Sequence, residues 1–167
     1  MYEVTVVQNK PETIHTQFCR KLLYVKKSTN LNAMYGELGR VPMFIQRKIQ
    51  MIKYWAKVLS HPETTILYKT YTLLKTKVDI GCADNNNWAY QIKLILHRSD
   101  CSNIWLLQHT SPFIVNIIKT RILDDHYQLW YTNINNASKL ETYCLSKHTF
   151  GYHKTVDGCI MGTKLKC

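Results

Sequence analysis

The sequence predicts an all-α protein, and three observations favour that fold class. Apolar residues recur with a helical period in several segments, most clearly between residues 41 and 59. Residues that cap helices or open their first turn precede such segments, as Asn87, Ser111 and Pro112 do. Apolar residues make up 46% of the 167-residue chain, which is typical of a globular domain. We therefore expect five or six helices in an irregular bundle.

The first helix is predicted to open at Pro11 and Glu12. Its apolar residues lie at helical spacing, and we expect them to form the buried face. They are Ile14, Phe18, Leu22 and Val25, with Cys19 and Leu23 beside them. A polar connector is expected to follow at residues 26–32.

The second helix is predicted from about Val41 to Leu59, and it is amphipathic. The residues of its apolar stripe are Ile45, Ile49, Ile52, Ala56 and Leu59, with Trp55 widening it. Four basic residues form a flank beside this stripe, namely Arg47, Lys48, Lys53 and Lys57. A helix of this kind would bury one side and present cations on the other.

Four further segments combine a helical pattern with start or stop signals. They are residues 66–75, 88–98, 112–130 and 139–148. The loop at residues 77–87 is the best internal boundary, although neither half is large enough to be treated as an independent domain.

The two ends of the chain are predicted to be less regular. The first seven residues, MYEVTVV, are rich in β-branched side chains and allow a short strand. The tail from Gly151 has three glycines and no apolar period, so we expect it to fray. We therefore divide the chain into an N-terminal segment (1–10), one helical domain (11–150) and a disordered or divergent tail (151–167).

The net charge of +11 favours a polyanionic partner, with nucleic acid as the first expectation. Ten Lys or Arg against three Glu concentrate the excess in the first 60 residues. The alternative is a surface whose charge serves only solubility. No apolar segment approaches the ~18 residues of a spanning helix, and the N-terminus lacks an apolar signal core. We expect an intracellular protein with free thiols and no membrane partner.

Two adjacent carboxylates, Asp124 and Asp125, invite comparison with the metal-binding aspartates of polymerases. They fall in a helical pattern, where successive side chains point about 100° apart, so the pair does not form a clamp. No third carboxylate has a recognisable context. We therefore predict a solvated helix face at this position.

The four residues Cys144, His148, His153 and Cys159 form a loose Cys/His set, but no C-x2-C hook is present. The sequence also lacks a P-loop, a dinucleotide fingerprint and a G-x-S-x-G element. We therefore predict no metal, no cofactor and no catalytic residue, and we regard the chain as not an enzyme by itself.

Basic residues alternate with aromatic residues around Tyr24, Tyr54 and Tyr68. Lys and Arg neutralise phosphates, and exposed Tyr rings stack on unpaired bases. The alternative is that the tyrosines cover the core while the lysines face water. The residues predicted to bind nucleic acid are Lys26, Lys27, Arg40, Arg47, Lys48, Lys53 and Lys57.

Several short motifs of this chain are similar to motifs that occur together in one protein family. A His-x-x-Phe-Cys-Arg core lies at residues 15–20, a Gly-Glu-Leu-Gly-Arg-x-Pro segment at 36–42 and a Tyr-Trp pair at 54–55. The similarity continues through NNNWAYQIKLIL (85–96) and RILDDHYQLWYTNINNASKLETYC (121–144). Over roughly residues 10–150, the chain resembles the region downstream of the reverse transcriptase domain in animal non-LTR (LINE-like) retrotransposon proteins.

The resemblance implies a thumb-like or linker helical region that helps to hold template RNA and primer DNA without catalysing the reaction. The polymerase palm and the endonuclease would lie upstream. The tail departs from the family pattern, which implies truncation or a frameshift. The implied partners are an RNA or DNA backbone and the polymerase portion of the parent protein. The alternative is a non-functional relic or a protein-interaction module with no nucleic-acid role.

The segment MYGELGRVPM, residues 34–43, is predicted to be a hinge between two helices. Gly36 and Gly39 permit backbone angles that other residues resist, and Pro42 suits the first turn of the next helix. Glu37 and Arg40 are three residues apart and can pair across the turn. A ligand-binding turn is the alternative, and within the hinge Arg40 can still contact a phosphate.

Overall fold

The computed structural model describes residues 10–83, 85–146 and 150. In this part of the chain all regular structure is helical, which confirms the all-α class. The α-helices are α1 Lys10–Leu22, α2 Leu31–Leu38, α3 Met43–Leu59, α4 Ile66–Asp79, α5 Trp88–Arg98, α6 Ser102–Leu107, α7 Pro112–Asn135 and α8 Glu141–Ser146, and a 3-10 turn spans Ser138–Leu140.

The predicted number of five or six helices is too low for the described residues. The two additional helices are α2 and α6, which are only 8 and 6 residues long. Helices this short carry little periodicity, and they depend on tertiary contacts for stability. The strand predicted near residues 1–10 and the tail at 151–167 lie outside the described residues, apart from Lys10, which is helical.

The chain divides into two compact units. The first is drawn from Met1–Phe44 and Tyr127–Cys167, and the second is Ile45–His126.

The core of the first unit forms where α1 packs on α2. Its buried residues are Cys19, Met34, Tyr35 and Leu38, with Leu23 and Phe150 packed against them. The Tyr35 hydroxyl lies 3.0 Å from Thr16 Oγ1 and donates a hydrogen bond of 3.1 Å to Glu12. These polar contacts satisfy the tyrosine hydroxyl inside the interface, where an unpaired group would be costly.

The predicted apolar face of α1 is therefore wrong for its main stripe, although Cys19 is buried and Leu23 packs against the core as predicted. Ile14, Phe18 and Leu22 are 66%, 49% and 40% exposed, whereas Thr16 and Cys19 are buried. The helix is rotated so that its His15–Thr16–Cys19 side meets α2. The contacts made by Tyr35 outweigh the apolar stripe because they bury a large ring and also pair its hydroxyl.

The second helix, α2, begins and ends on local capping residues. The Asn30 side chain accepts hydrogen bonds from the backbone N–H groups of Asn32 (2.8 Å) and Ala33 (3.4 Å). Gly39 ends the helix in the left-handed region with φ 57°. The polar connector predicted at residues 26–32 thus contains the N-cap and the first turn of a helix.

The end of α7 and α8 also belong to the first unit, where they pack against α2. Trp130 is 1% exposed, and its Nε1–H donates to the Asn32 carbonyl at 2.7 Å. A Cβ at Gly36 would lie 2.5 Å from Trp130 Cζ2 and 2.9 Å from the Tyr143 hydroxyl oxygen. Gly36 is helical, so it serves close packing, and only Gly39 serves the turn.

In the second unit, α5 packs against α4 and α6. The buried residues of the second unit come from several helices and include Ile49, Ile52, Trp55, Ile92, Leu96, Ile118 and Ile122. Trp55 Nε1–H donates to the Tyr71 hydroxyl (2.9 Å), which in turn donates to Gln108 Oε1 (2.6 Å). This chain of hydrogen bonds ties α3 to α4 and to the residue that follows α6.

The predicted helix starts at Asn87 and Ser111 are confirmed. Asn87 Oδ1 accepts from the N–H groups of Ala89 (2.8 Å) and Tyr90 (3.3 Å), and Ser111 Oγ accepts from Ile114 (3.3 Å). Capping of this kind is encoded locally, which explains why the sequence predicts it well.

Candidate nucleic-acid interface

The first unit carries an open groove that runs along α1. Its volume is about 1070 Å³. The polar side of α1 lines it with Thr13, Thr16, Gln17, Arg20 and Lys21, and the chain that follows adds Tyr24, Val25, Lys27 and Leu31. The groove is open to solvent, and its lining surface is more apolar than polar.

The groove carries more positive than negative charge. Arg20, Lys21 and Lys27 line it, and the opposing carboxylate is that of Glu12. Glu12 is engaged within the unit, since its two oxygens accept hydrogen bonds from the Tyr35 hydroxyl (3.1 Å) and the Phe44 N–H (3.2 Å). The three cations therefore dominate the charge that a ligand meets.

A six-residue hydrogen-bonding pattern positions these cations at the end of α1. The N–H of Val25 donates to the Arg20 carbonyl (3.1 Å), and the N–H of Tyr24 donates to the Lys21 carbonyl (3.2 Å). This is a Schellman motif with Tyr24 at the left-handed position, where its φ is 53°. Arg20 and Lys21 lie in the last turn of the helix, where cations are favoured by the helix dipole.

The structure places three of the predicted phosphate-binding residues in the first unit. Lys27 lines the groove, and Lys26 is exposed beside it in the same connector. Arg40 is exposed at the end of α2, and its guanidinium carbon lies 5.6 Å from the centre of the Phe18 ring. This cation–π contact keeps Arg40 on the apolar side of α1.

Of the predicted hinge at residues 34–43, only residues 39–42 form the turn between α2 and α3, because residues 34–38 belong to α2 and Met43 opens α3. The predicted partners Glu37 and Arg40 make different contacts, because Tyr143 hydrogen-bonds Glu37 and Arg40 covers Phe18. Burial, together with the hydrogen bond to Glu37, raises the pKa of Tyr143. The turn is therefore stabilised by contacts to other elements of the first unit.

The four predicted residues of α3 lie in the second unit, and they do not share one face. At about 100° per residue, Lys53 and Lys57 lie about 40° apart and Arg47 about 80° from Lys57. All three are exposed. Lys48 projects about 140° away from Lys53. The basic flank therefore consists of Arg47, Lys53 and Lys57.

Lys48 occupies a different environment from the rest of the flank. It is half-buried, and burial, reinforced by the positive charge of Arg98, lowers its pKa. The negative charge of Asp125 acts in the opposite direction. Because burial opposes contact with a large polyanion, Lys48 is a poorer candidate for a phosphate ligand than the exposed cations of α3.

The aromatic residues near these cations differ in exposure. Tyr54 is 48% exposed beside Lys53, and its ring meets Trp88 edge-on at 5.6 Å. Tyr71 is 3% exposed and belongs to the core. Only Tyr24, at 97% exposure, presents a nearly complete ring to solvent.

Sequence reasoning missed Arg20 and Lys21 as site residues. Both lie in a predicted helix, and Lys21 belongs to the basic and aromatic alternation around Tyr24. The signal that could have found them is the cationic last turn followed by an exposed aromatic residue.

A close Cys–His pair occurs in the first unit, with Cys19 Sγ 3.7 Å from His15 Nε2. Cys19 is completely buried, and burial raises the pKa of its thiol. Burial also lowers the pKa of His15, whose ring stacks on Tyr35 at 5.6 Å. A buried, protonated thiol is a poor nucleophile, so the pair is a packing element.

The other candidate ligands are dispersed. Asp124 and Asp125 are both exposed on α7. Within residues 10–83, 85–146 and 150, no three His, Cys, Asp or Glu side chains group as a metal site. Of the loose Cys/His set, His148, His153 and Cys159 lie outside these residues. In the same described ranges, no helix has the length and apolar content required to cross a bilayer.

Comparison with known proteins identifies no relative: no family model, no curated protein and no solved structure matches this chain.

Proposed function

We propose that this chain is a non-catalytic, nucleic-acid-binding helical region, of the kind that lies beside the polymerase in non-LTR retrotransposon proteins. The observation that carries the proposal is the groove along α1, which Arg20, Lys21 and Lys27 help to line. Cations at this density neutralise phosphates and release counterions, which is the main source of affinity for nucleic acid.

The basic flank of α3 supports the same proposal from the second unit. Arg47, Lys53 and Lys57 are exposed and lie on one side of the helix, with the half-exposed ring of Tyr54 nearby. We propose that this surface adds non-specific attraction to a nucleic-acid backbone. The net charge of +11 acts in the same direction by steering polyanions towards the chain.

A protein-interaction module is the second candidate, and the exposed stripe of α1 favours it. Ile14, Phe18 and Leu22 succeed one another at four-residue intervals and are each at least 40% exposed. An exposed apolar stripe of this kind is typical of a surface that contacts another protein. Concentration-dependent self-association, measured by sedimentation, would favour this candidate over a monodisperse binder.

The test is binding of fluorescently labelled single-stranded RNA at several salt concentrations. We expect micromolar or tighter affinity that weakens as salt rises. In the triple variant Arg20→Gln/Lys21→Gln/Lys27→Gln, the slope of log affinity against log salt should fall by about 2, since each neutralised phosphate contributes about 0.7. The Kd should rise roughly 10-fold or more.

The matched control is Lys69→Gln/Lys77→Gln/Lys119→Gln, which removes the same charge from exposed positions in the second unit. It should change the Kd much less than the groove variant does. Equal losses in both variants would show that net charge alone causes binding, and the proposed groove would be wrong. Absence of binding in the wild-type chain would reject the nucleic-acid role and leave the protein-interaction candidate.

A further inference from the structure

One side chain of the groove makes no visible contribution to folding. The Tyr24 ring is 97% exposed, so its burial stabilises nothing. Its backbone adopts φ 53°, a conformation that bulky residues rarely occupy. The position is that of the Schellman residue, which is usually glycine because glycine lacks the Cβ clash. The fold therefore tolerates a strained backbone in order to hold an exposed aromatic ring.

Backbone strain of this kind concentrates at binding sites, where it fixes the direction of a side chain. The turn that imposes the strain is well defined, because both of its cross-turn hydrogen bonds are formed, at 3.1 Å and 3.2 Å. The ring is therefore presented at the groove by a rigid turn. Arg20, Lys21 and Lys27 line the same groove and supply cations next to it.

We propose that Tyr24 is a base-stacking platform and that the groove takes single-stranded RNA or DNA in preference to a duplex. This inference rests on the proposed nucleic-acid role and names the class of ligand for the same groove. A planar ring with both faces free can stack on an unpaired base, whereas the bases of a duplex are already stacked on one another. The neighbouring cations would hold the phosphates on either side of the stacked base.

The experiment compares Tyr24→Gly with Tyr24→Phe in the full-length chain. Tyr24→Gly relieves the strained backbone, so its melting temperature should be equal to or above that of the wild type. Its Kd for a single-stranded oligouridine of about 16 nucleotides should nevertheless rise by about 5- to 150-fold, which corresponds to the loss of one stacked base. Tyr24→Phe keeps the ring and should bind within about twofold of the wild type.

A blunt-ended RNA duplex of about 16 base pairs is the second probe. It should bind more weakly than the single strand, and Tyr24→Gly should leave its Kd unchanged. A merely structural role for Tyr24 cannot produce a variant that is more stable and yet binds less tightly.

Failure of this inference can be separated from failure of the proposed function. If Tyr24→Gly binds oligouridine as the wild type does while Arg20→Gln/Lys21→Gln/Lys27→Gln does not, stacking is refuted and the cationic groove remains. If the duplex binds as tightly as the single strand, the single-strand preference is refuted. If the wild type binds and neither set of substitutions alters its binding, the groove is not the interface: the stacking inference fails, and the nucleic-acid role is left to another surface such as the basic flank of α3.

Discussion

Replacing Gly36 by alanine tests the packing that holds α2 in the first unit. In an exposed helix this change would stabilise the protein by about 1 kcal/mol, because alanine is the better helix former. Here the new Cβ would lie 2.5 Å from Trp130 Cζ2 and 2.9 Å from the Tyr143 hydroxyl oxygen, well inside van der Waals contact. Close packing therefore predicts that Gly36→Ala lowers the free energy of unfolding, whereas helix propensity alone predicts that it raises it.

The size of the loss in stability depends on whether the Trp130 ring can move away from the new methyl group. Trp130 is 1% exposed and is held by its hydrogen bond to the Asn32 carbonyl at 2.7 Å, so its ring cannot withdraw without breaking that bond. Overpacking of this kind costs about 1–3 kcal/mol, and a lost hydrogen bond costs about 1 kcal/mol. After the gain in propensity, we expect a net loss of about 1–3 kcal/mol. The melting temperature should fall by roughly 2–12 °C.

Urea and thermal unfolding followed by circular dichroism would measure this change. A double-mutant cycle with Trp130→Phe supplies the control, since phenylalanine lacks the outer ring atoms that meet the new methyl group. The cost of Gly36→Ala should be smaller in the Trp130→Phe background than in the wild type. If Gly36→Ala instead raises stability by about 1 kcal/mol, the close approach of α2 and Trp130 is wrong.

Two further predictions concern stability. Burial, the largest influence on both residues, raises the pKa of Tyr35 and of Tyr71 to about 12, whereas tyrosines of the unfolded chain titrate near 10. The unfolded state therefore loses these protons first, so the free energy of unfolding should fall as the pH rises from about 10 to 12. Urea unfolding over this range should show a shallower fall for Tyr35→Phe/Tyr71→Phe, and an unchanged slope would contradict the argument. Asn87→Ala removes the acceptor of two N–H groups of α5 and should cost about 1 kcal/mol, with Asn87→Ser losing less. Equal stability of Asn87→Ala and the wild type in the same assay would show that this cap is dispensable.

The elements that sequence reasoning predicted well are those encoded by neighbouring residues. The caps at Asn87 and Ser111 depend on contacts two or three residues away, and both occur as predicted. The apolar stripe of α3 is long enough for its period to be unambiguous, and Ile45, Ile49 and Ile52 are buried. Local signals of this kind do not depend on how the helices later pack.

The candidate groove was predicted only in part. The sequence singles out Lys27 and the basic and aromatic alternation around Tyr24, and both belong to the segment that lines the groove. The sequence does not single out Arg20, although it lies about 200° around α1 from Phe18 and therefore opposite the predicted apolar stripe. The side that is buried is set by Tyr35, whose hydroxyl needs the partners that Thr16 and Glu12 provide. The buried side of α1 cannot be predicted from the sequence of α1 alone, because it depends on contacts with α2.

The all-α class, the positions of the longer helices and the strong positive charge follow from the amino-acid sequence alone, because propensity, capping and composition act within a few residues of the chain. Tertiary contacts alone set which side of α1 is buried, the need for glycine at position 36 and the half-burial of Lys48. Those features depend on contacts between residues far apart in the chain. No local sequence pattern encodes the relative energies of such contacts.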